Sequence, residues 1–196
     1  AITFTFSRIM MMRPSLLIRT TRMNFLPASV IPFLTGAALA FKNGAALSPL
    51  KFFLGLAGVA SAHLAGNLFN DHFDHSSGAD GEHSGKSPFF GGSGVIQQGL
   101  VSSSTVLYMG AVSLGISVIC GLSIFMVTGD AAFLLLMACA GILTVGYTAP
   151  PLRLAYRRLG ELDIFMLFGV LLVASSYYLF TGTFSSEAVL ASFPVS

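Results

Sequence analysis

Long apolar runs joined by polar loops constrain the fold of this chain more than any other feature. Five runs cover residues 24–41, 52–69, 106–127, 131–148 and 162–181, and a sixth begins near Ala188. Each of the five approaches the roughly 20 apolar residues that a helix needs to cross a bilayer. Only 9% of the residues are charged, against about 25% in soluble domains. We therefore predict an all-α, polytopic bundle of transmembrane helices embedded in the lipid bilayer.

Basic residues are divided unequally between the loops on the two sides of the predicted bundle. One side carries Arg8, Arg13, Arg19, Arg22, Lys86, Arg153, Arg157 and Arg158, and the other side carries Lys42 and Lys51. Because short loops rich in Lys and Arg stay in the cytoplasm, we predict a cytoplasmic N-terminus and cytoplasmic 2–3 and 4–5 loops. Residues 1–22 are interpreted as a basic interfacial segment that sets this topology, ahead of a membrane domain over residues 23–196. A net charge of +2 gives no reason to expect a nucleic-acid partner.

A polar sequence, NLFNDHFDHSSGAD, follows the second apolar run at residues 67–80. If the helix continues into it, Asn67, Asp71 and Asp74 share one face, since residues three and four apart are neighbours on a helix. Gly78 is a typical helix end, which leaves Asp80 free to fold back. Amide and carboxylate oxygens suit Mg²⁺, a metal that is usually shared between one or two carboxylates and substrate phosphates. We predict a metal and phosphate site here.

Other interpretations of the same stretch are weaker. A helix end that simply emerges into water would place carboxylates against the unfavourable end of the helix dipole. A zinc site built from His72, His75 and His83 is disfavoured because carboxylates outnumber imidazoles and no cysteine is close. His63 lies deeper in the apolar run, and we predict a packed histidine bonded to Asn67 or to a backbone carbonyl.

Two further loops could contribute to the same site. Lys86 precedes a glycine-rich stretch whose backbone N–H groups could approach an anion, although ordinary loop flexibility explains the glycines equally well. Pro150 and Pro151 end the fourth run, and Arg153 and Arg157 follow them. Glu161 and Asp163 begin the fifth run, where acidic residues suit the helix dipole. Either of these two could contact a second substrate or act as a base.

These motifs resemble those of the UbiA family of intramembrane prenyltransferases. The resemblance includes Asn67, Asp71, Asp74 and Asp80 as a first aspartate-rich motif. Two more stretches, NFLPASVIP at residues 24–32 and YTAPP with YRRLGE at residues 147–161, resemble the branch that prenylates 1,4-dihydroxy-2-naphthoate in menaquinone biosynthesis.

The resemblance implies a bundle of nine transmembrane helices around a central cavity, in the inner membrane of a bacterium. Mg²⁺ would hold a polyprenyl diphosphate, whose ionisation gives an allylic cation that attacks an aromatic acceptor. Carried onto this chain, the metal ligands would be Asn67, Asp71, Asp74 and Asp80. The expected catalytic residues are Asp71, Asp74 and Lys86, and the expected substrate-binding residues are Lys86, Arg153, Arg157, Tyr147 and Tyr156.

One departure limits what the resemblance implies. The second aspartate-rich motif of the family follows the sixth helix, and this chain stops within that predicted helix. We therefore expect the chain alone to be inactive. Another acceptor of the same family (4-hydroxybenzoate, a haem or a glycerol phosphate) stays open, as does a non-catalytic transporter or scaffold fragment. A CDP-alcohol phosphotransferase is disfavoured, because its joined Asp-Gly and Ala-Arg signature is absent.

Overall fold

The computed structural model describes residue 9 and residues 12–78 and 92–195. Within these residues the chain forms seven helices and no strand, which confirms the predicted all-α class. The helices are α1 (Pro14–Thr21), α2 (Pro27–Lys42), α3 (Pro49–Ser77), α4 (Ser103–Thr128), α5 (Ala131–Gly146), α6 (Gly160–Thr181) and α7 (Ser186–Ser192). Short 3₁₀ turns cover Met23–Phe25, Leu154–Arg157 and Phe193–Val195.

Within the described residues, four segments are long and apolar enough to cross a membrane, namely Met23–Lys42, α3, α4 and α6. α5 is equally apolar but has 16 residues, which is about 24 Å of helix against a hydrocarbon core of about 30 Å. Each of the five predicted runs therefore forms an apolar helix among the described residues, four of them full-length and one shorter. The fifth falls short because its helix ends at Gly146, where the chain turns towards the two prolines.

The outer faces of these helices expose large apolar side chains. Phe53, Met126 and Leu135 are 66%, 84% and 66% exposed, respectively. A soluble protein rarely leaves so much apolar surface in water, whereas a lipid-facing surface has this character.

Local sequence explains where the central helices begin and end. Gly78 ends α3 in the left-handed conformation with φ 76°, as the sequence predicts, and Gly129 ends α4 with φ 68°. Such positive φ angles are costly for residues with a Cβ. The Asp130 carboxylate then accepts hydrogen bonds from the N–H groups of Ala132 and Phe133. α4 and α5 therefore form a tight antiparallel hairpin.

An apolar cluster at one end of the bundle fixes the segments that surround the end of α3. Leu68 of α3 and Val106 and Met109 of α4 pack with Val95 and Val101 of the intervening loop. Leu16 of α1 packs against the same cluster. α1 and the loop after residue 92 are thereby held over the acidic end of α3.

The opposite end of the bundle is held by polar contacts. The Lys42 ammonium lies 2.8 Å from Oε1 of Glu187, and Nδ2 of Asn43 donates to Oε2 of the same carboxylate at 3.0 Å. Both hydrogen bonds favour the ionised form, so they lower the pKa of Glu187. These bonds join the end of α2 to the start of α7.

α2 and α6 approach each other closely because a glycine lies between them. The Ser176 hydroxyl donates to the carbonyl oxygen of Phe33 at 2.6 Å, and a Cβ on Gly36 would lie 2.4 Å from the carbonyl oxygen of Val173. Small residues allow this backbone approach between membrane helices. α6 itself contains a π-helical stretch, Phe165–Leu171, which follows the buried residue Asp163.

We expect Gly36→Ala to destabilise the protein by about 1–3 kcal/mol, because the added methyl group has no room at the α2–α6 contact. The matched control is Gly115→Ala in α4, where a Cβ would meet nothing within 4 Å. That control should be neutral or stabilising by about 0.5–1 kcal/mol. Unfolding of both variants in micelles, followed by far-UV circular dichroism, checks the prediction, and equal stability of the two would contradict it.

Candidate functional site

A cavity of about 330 Å³ lies between the helices and runs from a polar end to an apolar end. The polar lining is formed by Arg22, Asn67, Asn70, Tyr147 and Asp163. The apolar lining includes Leu54, Ile124, Phe133 and Leu179. Leu54 precedes Asn70 on α3 by about 24 Å of helix, so the cavity is long as well as polar at one end. Its shape suits an elongated molecule with a polar head and an apolar chain.

α3 supplies the polar residues because one of its faces points into the cavity. His63, Gly66, Asn67 and Asn70 are spaced three and four residues apart and all line the cavity. Asp74 follows on the same stripe, four residues beyond Asn70, and Asp71 lies beside it, four residues beyond Asn67. The sequence prediction that α3 continues through the acidic run is therefore confirmed, and Asn67 and Asn70 are the members of the run that reach the cavity.

The Asp71 carboxylate is buried, with the residue only 2% exposed. Its oxygens accept hydrogen bonds from the Ser93 N–H at 3.0 and 3.2 Å, and Nη1 of Arg22 lies 3.8 Å away. Nε of Arg19 donates to the carbonyl oxygen of Ser93 at 3.1 Å. A buried carboxylate needs such partners, because an unpaired buried charge is strongly destabilising.

The Asp74 carboxylate is bound on both sides by uncharged groups. Nδ2 of Asn70 donates to one oxygen at 2.7 Å, and the Tyr156 hydroxyl donates to the other. Oδ1 of Asn70 in turn accepts from Nη1 of Arg22 at 3.4 Å. One guanidinium therefore connects the two aspartates through Asn70.

Arg22 is the residue of this site that sequence reasoning missed. The N-terminal segment was interpreted as a determinant of topology, yet Arg22 lines the cavity and pairs with Asp71. It adopts the left-handed conformation, with φ 53° and ψ 42°, which costs a residue with a Cβ roughly 1–2 kcal/mol. Strain of this kind often accompanies functional sites. No spacing rule links residues 22 and 71, so only the fold reveals the pair.

Of the other predicted substrate-binding residues, some lie at the cavity and others do not. Tyr147 lines the cavity and lies within electrostatic reach of Asp74, Asp163 and Arg22. Tyr156 contacts Asp74 from the rim. Arg153 and Arg157 are exposed and are absent from the cavity lining, and Arg157 donates instead to the carbonyl oxygen of Pro151 at 3.0 Å.

Two predicted residues, Asp80 and Lys86, lie outside the described residues. Their assignments as a metal ligand and as a cation for the diphosphate therefore stay predictions.

The prediction for His63 is wrong in its hydrogen-bond partner. Its Nδ1 atom lies 2.6 Å from the hydroxyl oxygen of Ser29 on α2, rather than on Asn67 or a backbone carbonyl. Its Nε2 atom is buried and has no hydrogen-bond partner in the part of the chain that the structure describes. The imidazole is packed, as expected, but only half of its hydrogen-bonding capacity is used.

The donor set at the end of α3 fits a metal that is shared with a ligand. No group of three or more His, Cys, Asp or Glu side chains gathers into a metal site among residues 9, 12–78 and 92–195. Two carboxylates and nearby amide oxygens are nevertheless hard donors of the kind that Mg²⁺ takes together with substrate phosphates and water. The described residues could therefore supply part of a magnesium site.

Comparison with known proteins identifies the class. Residues 29–196 match the UbiA prenyltransferase family, and the chain belongs to this family.

Three relatives illustrate the similarity. A 1,4-dihydroxy-2-naphthoate octaprenyltransferase of Bacillus subtilis is 29% identical over 178 residues, which are 90% of this chain and 54% of that protein. A UbiA prenyltransferase domain-containing protein 1 of Dictyostelium discoideum is 30% identical, over 92% of this chain and 54% of that protein. A 1,4-dihydroxy-2-naphthoate octaprenyltransferase of Haemophilus influenzae is 28% identical, over 87% and 56%. The chain thus spans about half the length of these relatives.

We expect Asp71→Ala to release the loop at Ser93, because the Ser93 N–H loses its acceptor and Arg22 loses its counter-ion. Amide hydrogen exchange at Ser93 should accelerate about tenfold or more, given the 1–3 kcal/mol that leaving such groups unpaired typically costs. Asp74→Ala is the matched control, since the contacts of Asp74 described above run to Asn70 and Tyr156. Mass spectrometry of the peptide containing Ser93 makes the measurement, and equal exchange in both variants would argue against an anchoring role for Asp71.

Proposed function

We propose that the protein transfers an isoprenyl chain from a polyprenyl diphosphate to an aromatic acceptor, 1,4-dihydroxy-2-naphthoate, within the membrane. The observation that carries the proposal is the gradient of the cavity, from Arg22 and two asparagines at one end to apolar side chains at the other. A diphosphate with a long apolar chain has the same gradient. Family membership and the names of two relatives support the same reaction.

The polar end of the cavity is suited to the diphosphate. The Arg22 guanidinium would donate to diphosphate oxygens while Asp71 holds its position. Nδ2 of Asn70 and the Tyr147 hydroxyl would offer uncharged donors beside it. Donors fixed in advance around a leaving group stabilise the negative charge that develops there as the C–O bond breaks.

Mg²⁺ is proposed as the resident cofactor, held by Asn67, Asp71 and Asp74, with Asp80 as a further ligand. When bound, the metal would neutralise charge on the diphosphate and make it a better leaving group. Asn70 and Tyr156 would orient the Asp74 carboxylate through their hydrogen bonds to it. In metal sites such outer contacts typically orient the ligating groups.

The apolar part of the cavity would serve the chain and the reacting carbon. Phe33, Val59 and Leu172 line it together with the residues at its far end. An apolar lining would exclude water, which could otherwise attack the allylic cation. The aromatic ring would then be the nucleophile that reacts with it. Ring and prenyl chain would meet where the polar lining gives way to the apolar lining.

The proposed setting is the inner membrane of a bacterium, with the acidic end of α3 on the cytoplasmic side. Arg19 and Arg22 lie beside that end of α3, and the loop of Arg153 and Arg157 contacts it through Tyr156. This grouping is what the positive-inside rule requires of a cytoplasmic face.

Binding of a prenyl diphosphate tests the proposal without requiring turnover. We expect geranylgeranyl diphosphate to bind this chain in nanodiscs in the presence of Mg²⁺ and to dissociate when EDTA removes the metal. Asp71→Asn and Asp74→Asn should each weaken binding about tenfold or more, because a lost charged contact of 1.4 kcal/mol corresponds to a factor of ten. Isothermal titration calorimetry provides the measurement.

Asp130→Asn is the control with the same chemical change. Asp130 caps α5 in the hairpin between α4 and α5, and asparagine caps a helix equally well, so this variant should bind like the wild type. If geranylgeranyl diphosphate bound equally well without Mg²⁺ and in the variants at positions 71 and 74, the proposal would be wrong.

The choice of acceptor is tested by comparing the binding of 4-hydroxybenzoate with that of 1,4-dihydroxy-2-naphthoate. Tighter binding of 4-hydroxybenzoate would assign the protein to another acceptor class.

A further inference from the structure

Two buried polar side chains in the cavity wall have no hydrogen-bond partner among the described residues. Asp163 on α6 is 4% exposed, and within residues 9, 12–78 and 92–195 neither of its carboxylate oxygens has a partner. His63 on α3 is 7% exposed, and its Nε2 atom has no partner in the same part of the chain. Both residues line the cavity. Because nearly all buried polar groups in proteins are satisfied, exceptions of this kind call for a missing partner such as a ligand or a water molecule.

The two side chains lie at different depths in the cavity. Phe168, in the π-helical stretch of α6, packs edge-on against the His63 ring with a centroid separation of 5.6 Å. Since Phe168 is five residues beyond Asp163 on the same helix, His63 lies deeper than the carboxylate. A π-helical stretch inside an α-helix frequently marks a functional site.

The tautomer of His63 is coupled to the direction of its hydrogen bond with Ser29. Nδ1 of His63 is the partner that the described residues record for the Ser29 hydroxyl, at 2.6 Å. If the hydroxyl donates to Nδ1, the neutral imidazole carries its own proton on Nε2. The cavity wall then offers an N–H donor from His63 and, nearer the polar end, a pair of carboxylate acceptors from Asp163.

We infer that His63 and Asp163 bind the hydroxyl groups of the aromatic acceptor and so determine which ring the enzyme accepts. A phenolic hydroxyl can donate to the Asp163 carboxylate and another can accept from Nε2 of His63, with the ring between them. Ser29 and Phe168 act as positioning residues that fix the imidazole. The inference rests on the proposed function, since it assigns the acceptor to this part of the same cavity.

Such a site favours rings that carry hydroxyl groups, and it also disfavours rings that lack them. A ring without hydroxyl groups would leave the carboxylate and the imidazole buried and unpaired. Sites built to hydrogen-bond a hydroxyl reject analogues that lack it far more strongly than apolar pockets reject a missing methylene. The preference should therefore depend on Asp163 and on the ligand hydroxyls jointly.

A double-mutant cycle between protein and ligand tests this dependence. Ligand fluorescence reports binding of 1,4-dihydroxy-2-naphthoate and of 2-naphthoate, and the chain contains no tryptophan to interfere. The wild type should prefer the dihydroxy compound. Asp163→Leu and His63→Leu should each reduce that preference about tenfold or more, while 2-naphthoate binds Asp163→Leu as well as or better than the wild type.

Glu187→Leu is the matched control, because it removes a half-exposed carboxylate at the opposite end of the bundle, outside the cavity lining. It should keep the wild-type preference. Thermal unfolding of Asp163→Leu should show no loss of stability, since the variant removes a buried carboxyl group for which the described residues supply no partner.

Geranylgeranyl diphosphate binding, measured on the same samples, separates this inference from the proposed function. Retained Mg²⁺-dependent diphosphate binding with an unchanged naphthoate preference in Asp163→Leu would overturn the inference alone. In that case the hydrogen-bond partners of His63 and Asp163 would be buried water molecules and not the acceptor. Failure of the wild type to bind either naphthoate would overturn it as well.

Discussion

The burial of the Asp71 carboxylate is the constraint on which the polar end of this protein depends. A charge removed from water must be neutralised and hydrogen-bonded, and here the partners come from two distant parts of the chain. Arg22 contributes the counter-charge and Ser93 contributes the backbone N–H. Satisfying one carboxylate therefore fixes the N-terminal segment and the loop before α4 over the end of α3.

The same helix links that polar end to the membrane interior. Along α3 the cavity-lining residues change from Asn70 and Asn67 to His63 and then to Leu54. The facing wall on α6 changes in parallel, from Asp163 to Phe168 and on to Leu179. Close packing of α2 on α6 through Gly36 keeps this wall in place. A polar head, a ring and an apolar chain can thus be accommodated at successive depths in one cavity.

Most of the architecture could be predicted from residue pattern, because the signals are local. Apolar length and the glycine at position 78 act within one or two helical turns, and the structure agrees with both. The α5 helix ends at Gly146, two residues before the end of the apolar run. Among the site residues, Asn67 and Tyr147 reach the cavity, whereas Arg153 and Arg157 do not. The positive-inside rule depends on the loop in which an arginine lies and not on the contacts of its side chain. It therefore could not show whether Arg153 and Arg157 reach the cavity.

The sequence by itself determined the helical membrane class, the grouping of basic residues and the acidic run, since each follows from solvation and from helical periodicity. Only the tertiary structure decided that Arg22 pairs with Asp71, that His63 bonds Ser29 and that Asp163 lines the cavity. These contacts join residues on separate helices. Their geometry depends on how whole helices pack, and no spacing within a single segment encodes it.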